Sequence, residues 1–178
     1  MLLFRATVLT VVLLVTSACG FRPLYAPPNE DATVQGVYAF DELQRVIIAN
    51  IPDREGQYLR NALVRLLHPK GRRGEANFVL DISLTESTSS LAVQRSAEAT
   101  RANLTVRGSV RLRRISGSGG VHSDLVSSSS GYNIFRSEFQ TLMAEKGARE
   151  RALDDLAQQI RIRLAAYLTS TDTKVLRQ

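Results

Sequence analysis

The sequence is poor in the residues that build many kinds of site. Its 178 residues include one cysteine, Cys19, two histidines, His68 and His122, and no tryptophan. One cysteine forbids a disulfide within the chain, whatever the redox compartment. One cysteine and two well-separated histidines match no zinc spacing. No apolar run reaches the roughly 20 residues a membrane-crossing helix needs. No internal repeat is visible, and no glycine-rich phosphate loop follows a strand pattern: "GSGG" (117–120) reads as a hairpin turn.

Catalytic arrangements are equally thin. A serine nucleophile needs a base and an orienting acid, and neither histidine carries such a signature. His68 stands at the end of an apolar helical stripe, where a donor helps the last carbonyls, and His122 stands in a turn or strand edge. Glu150 and Asp154 are one helical turn apart on what reads as a solvated face. The sequence argues against an enzyme, with no cofactor and no metal expected.

What is present begins at the N-terminus. Met1–Arg5 carries one positive charge, the segment 6–16 is uncharged and mostly apolar, and the small residues Ser17 and Ala18 precede Cys19. That order is a secretory signal peptide. A cysteine at the cleavage point makes it a bacterial lipoprotein signal, in which the thiol takes a diacylglyceryl group and, after cleavage, an N-acyl chain. Thr16 stands where such signals usually have Leu, which leaves a plain signal peptide with unmodified Cys19 as the alternative. Two or three acyl chains give stable anchoring, at about 0.8 kcal/mol per buried methylene. Gly20, rather than Asp, resembles the sorting pattern for the outer membrane.

The expected organisation is a signal peptide over 1–18, a lipidated start and extended tether over 19–35, one domain over 36–168 and a polar tail over 169–178. Of the 23 Lys and Arg residues only Arg5 lies in 1–18, so the remainder carries 22 against 17 Asp and Glu, a net charge of +5. For an exported chain, that excess points to an anionic envelope partner rather than nucleic acid.

Within the domain, β-branched residues suggest a first strand around 44–51. Pro52 ends it, Asp53 reads as a helix N-cap, and Leu59, Leu63, Leu66 and Leu67 form one helical stripe. Two strands alternate cleanly: Phe78, Leu80, Ile82 and Leu84 share one face of 78–85. Ala102, Leu104, Val106, Val110 and Leu112 share one face of 102–113. A weaker, serine-rich fourth strand runs over 122–136. Leu153, Leu156, Ile160, Leu164 and Tyr167 mark a closing helix over 149–168, with its regular part starting near Gly147 because glycine is costly inside a helix. Two helices with one apolar stripe each, and a sheet with one apolar face, bury each other as a two-layer α+β sandwich.

One cluster invites a binding function. Arg107, Arg111 and Arg113, with Arg101 further along, fall on the polar face of the third strand. Guanidinium groups on alternate residues suit bidentate contact with phosphate or carboxylate. The plainer reading is a face kept soluble by charge. Lys70, Arg72 and Arg73 form a second basic spot in a turn.

"ACGFRPLY", "IPDREGQYLRNAL", "EATRANLTV" and "ARERALDDLAQQIRIRLAAYL", in this order, resemble the LptE family of lipopolysaccharide-assembly lipoproteins. The resemblance implies two helices on a four-stranded sheet, and a non-enzymatic plug in the lumen of the outer-membrane barrel LptD that assists barrel assembly and lipopolysaccharide delivery. The other reading is an unrelated envelope lipoprotein that binds a soluble anionic ligand or serves as a periplasmic adaptor.

Overall fold

The computed structural model describes residues 42–69, 71, 74–93, 99–116 and 122–175. The chain divides into Met1–Thr33 and Val34–Gln178, and everything described belongs to the second unit. Cys19, the signal and tether segments, and Lys70, Arg72 and Arg73 lie outside the described residues.

The order of elements is β1 (Val46–Ile48), α1 (Asp53–Leu67), β2 (Phe78–Val93), β3 (Ala99–Arg114), β4 (His122–Asn133) and α2 (Glu138–Val175). The strands form one mixed sheet in the order β1-β2-β3-β4. β1 runs parallel to β2, which requires the crossover that α1 supplies, and the other pairs are antiparallel. α1 covers β1, while α2 packs on β3, β4 and α1. The architecture is the expected α+β sandwich, with both helices on the apolar face of the sheet.

β1 is shorter than the sequence suggests. Gln44 belongs to a helical turn at 42–44, and the last ladder contact is Ala49 N–H donating to Leu80 O at 2.9 Å. The chain then leaves the sheet so that Ile51 can bury beneath the first turn of α1. A Cβ on Gly56 would lie 2.7 Å from Ile51 Cγ2 and 2.8 Å from its carbonyl oxygen, so only glycine permits this approach. The sharp turn also corrects the reading of Asp53. Pro52 occupies the cap position with no side-chain hydrogen bond, and Asp53 sits at φ 67°, a left-handed conformation that Asp tolerates better than most residues. At the other end of α1, the His68 ring reaches β1. Its Nε2 lies 3.0 Å from Val46 O, and since a carbonyl only accepts, Nε2 donates and ties α1 to β1.

The alternation in β2 and β3 is the one the residues imply. Leu80, Leu104, Val106 and Leu112 are fully buried, and β3 alternates buried residues with exposed or half-buried ones from Arg101 to Arg113. Both strands extend past their apolar stretches to 16 residues each. β4 turns the hydroxyl of Ser128 inward, where it donates to Asp155 Oδ2 at 2.7 Å. That bond makes a serine-rich strand compatible with a packed face.

α2 differs most from the sequence expectation. It starts at Glu138 rather than near Gly147 and continues to Val175, through residues read as tail. Ser137 precedes it with the Ser-x-x-Gln spacing of a capping box: Gln140 N–H reaches Ser137 Oγ at 3.5 Å, and Thr141 N–H donates to Ser137 O at 3.1 Å. Gly147 costs about 1 kcal/mol, but burial of Ala148, Ala152, Leu153, Leu156 and Ile160 immediately beyond it holds the helix continuous. Residues 176–178 lie outside the described residues.

Candidate binding face

No described element covers the outer face of the sheet, opposite the helices. Register places Arg107 of β3 between Thr85 of β2 and Ser127 of β4, and Arg111 between Asp81 and Ser123. Ser83, Ser109 and Leu125 form the row between them. Thr105 and Ser129 join hydroxyls at 2.8 Å on the same face. The surface is therefore rich in hydroxyls with guanidinium groups set into it, and Leu125 is an apolar residue on it that stands 65% exposed.

The four arginines are not equivalent. Arg113 donates through Nε to Asp81 Oδ2 at 2.7 Å, a bond that raises its already high pKa further and leaves it less free to engage an external anion. Arg107 and Arg111 are exposed and make no hydrogen bond or ion pair among the described residues. Four residues of strand separate them, about 13 Å. Arg101 stands six residues from Arg107, about 20 Å away, at the end of the sheet where it pairs in register with Asn133. The structure thus groups Arg107 and Arg111 as open cations, binds Arg113 internally and sets Arg101 apart.

On the helical side the charged groups are largely committed. Arg149 reaches Glu86 through two bonds of 2.8 Å and Glu145 through one of 2.7 Å, with Glu55 at 3.9 Å. The hydrogen bond to Glu86 is the largest cause of a strongly raised Arg149 pKa, so this group is a permanent cation joining α1, β2 and α2. Arg163 donates to Asp124 at 2.8 Å and holds that carboxyl below its usual range. The ring of His122 stacks on Tyr167, with centroids 4.1 Å apart. Burial, and after it the hydrogen bond that its hydroxyl donates to Asp154 at 3.1 Å, raise the Tyr58 pKa, and Glu150 lies 4.0 Å from Lys146. Glu150 and Asp154 therefore face different partners. Among the described residues no three His, Cys, Asp or Glu side chains are grouped to hold a metal ion, and no helix is long and apolar enough to cross a membrane.

Sequence reasoning missed one surface. Phe135, Phe139, Leu142 and Met143, at the start of α2, are exposed. The capping box at Ser137 was the signal that would have extended the helix to include three of them.

The fold agrees with a known family. The model for lipopolysaccharide-assembly proteins, LptE, matches residues 43–164, from the turn before β1 to the buried part of α2. This chain belongs to the LptE family. Lipopolysaccharide assembly is the role that membership carries. Solved structures agree on the fold. A putative lipoprotein from Caulobacter crescentus is 22% identical with a TM-score of 0.60, over 75% of this chain and 96% of that one. A minor lipoprotein from Acinetobacter baumannii is 18% identical with a TM-score of 0.57, over 70% and 92%. The rare lipoprotein B from Shewanella oneidensis is 11% identical with a TM-score of 0.51, over 73% and 96%. A comparison with curated proteins gives no match.

Proposed function

We propose that this LptE-family protein is an outer-membrane lipoprotein, acylated at Cys19, whose domain fills the lumen of an LptD-type barrel. There it helps assemble the barrel and pass lipopolysaccharide to the outer leaflet. The role is mechanical and electrostatic rather than catalytic. The observation that carries it is the open sheet face: Arg107 stands exposed between Thr85 and Ser127 and Arg111 between Asp81 and Ser123, and neither makes an ion pair among the described residues. A barrel lumen is aqueous and lined with polar groups, so a plug needs a polar outer face. Guanidinium groups there can meet lumen carboxylates or the phosphates of lipid A in bidentate fashion.

The test is a mild-detergent pull-down of the C-terminally tagged chain from native membranes. A large barrel recovered in stoichiometric amount supports the plug; a chain that purifies alone from the membrane fraction sinks it. Charge reversal of both open arginines, Arg107→Glu with Arg111→Glu, is expected to reduce barrel or lipopolysaccharide retention without changing the circular dichroism. Retention equal to the wild type would remove this face from the mechanism.

A further inference from the structure

Seven large apolar side chains are exposed among the described residues, and four fall within residues 135–143: Phe135 at 45%, Phe139 at 69%, Leu142 at 57% and Met143 at 43%. The concentration matters because singly scattered apolar residues are ordinary, whereas clustered ones mark interaction sites. Helical spacing puts Phe139, Leu142 and Met143 on one face of the first two turns of α2. Thr141 lies on the opposite side, its Oγ1 bonded to the backbone of Phe135 and Ser137. One turn further along the apolar face stands Lys146, so the face changes there from apolar to cationic.

The surroundings are basic. Arg136 is exposed immediately before the helix, and Arg101 is exposed at the same end of the sheet, in register with Asn133 and next to Thr100, whose carbonyl accepts from Ile134 N–H at 3.0 Å. Neither guanidinium has a carboxylate partner among the described residues. Of the acidic groups nearby, Glu145 is held by Arg149 at 2.7 Å, Glu150 stands 4.0 Å from Lys146 as a loose surface pair, and Glu138 is the remaining counter-charge, so Arg101 and Arg136 are the open cations. Apolar side chains at a helix start, with cations around them, match a bilayer surface: the apolar groups enter the boundary between headgroups and acyl chains while the cations meet anionic headgroups.

We infer that the start of α2, through Phe139, Leu142 and Met143 with Arg101, Arg136 and Lys146, docks on an anionic membrane surface and orients the domain beneath its lipid anchor. The inference rests on acylation of Cys19 and concerns the anchored chain before it enters a barrel, whose wall would separate this surface from the bilayer. The geometry allows it: the 23 residues from Cys19 to Asp41 can reach at most about 75 Å, more than the roughly 50 Å length of a 16-residue strand.

Because the chain has no tryptophan, one introduced residue reports one position. Phe139→Trp, and Leu125→Trp on the open sheet face as control, are made in the full acylated chain. Each is purified from membranes and reconstituted into vesicles of phosphatidylglycerol and phosphatidylcholine carrying bromine in the acyl chains. The expected result is loss of most emission from position 139 through bromine quenching, with position 125 unaffected, and weaker quenching when phosphatidylglycerol is omitted. Flotation with the vesicles but no quenching at position 139 overturns the docking surface alone. Blue-shifted yet unquenched emission shows that protein covers the patch and overturns it equally. Failure to float, with an intact mass lacking acyl chains, overturns the Cys19 reading on which the inference depends.

Discussion

Gly56 shows how much one missing methyl can decide. The turn Ile51-Pro52-Asp53 closes because the first turn of α1 rests directly on the Ile51 backbone, and the left-handed Asp53 completes the bend. Gly56→Ala forces a Cβ into atoms that include backbone, so it is expected to destabilise the domain by about 1–3 kcal/mol. A lower urea midpoint with unchanged slope checks this; an unchanged midpoint removes the argument. Asp124 offers a second residue-scale test. Its folded pKa is depressed, first by the hydrogen bond from Arg163, below the ordinary 3.8. A depressed carboxyl contributes stability that is fully present above 3.8 and lost as the pH falls through the lower folded value. Arg163→Gln is expected to return the Asp124 titration, followed by carboxyl NMR, toward 3.8.

At the scale of elements, local pattern and tertiary context divide the work unevenly. Alternation made β2 and β3 readable, because a sheet with one buried face imposes a period of two on its residues. β4 was harder: serine carries little hydrophobic signal, and the inward-facing Ser128 is satisfied by Asp155, 27 residues later, which accepts a hydrogen bond from its hydroxyl. Gly147 is a local cost that points to a later start of α2, while its compensation comes from burial beyond it, which local sequence does not show. Ser137 is the residue to change at this scale. Ser137→Ala removes the cap, at about 0.5–2 kcal/mol for the helix end. The expected sign is faster amide exchange confined to residues 138–142, with the rest of α2 protected; uniform exchange along the helix would contradict the cap.

At the scale of the domain, the helices and the sheet protect one another, and no described element covers the opposite sheet face. Cys19→Ser is expected to abolish acylation while leaving any barrel complex intact, because the domain brings its own contacts, so that the unacylated chain stays in the membrane fraction through the barrel alone. Release from that fraction with loss of barrel recovery would make the anchor, rather than the sheet face, the source of association.

The alternating apolar residues of 78–85 and 102–113 and the leucine stripes of both helices were enough to specify an α+β sandwich, since each records which side of its own element must leave water. They also placed Arg107 and Arg111 on the polar side of β3. Only the tertiary structure decided that Arg113 is held by Asp81, that Arg101 stands about 20 Å from Arg107 and that α2 begins with an uncovered apolar surface. Those outcomes depend on strand register and on which elements meet across 30 or more residues, and a local pattern, which records burial but not the identity of the neighbour, carries neither.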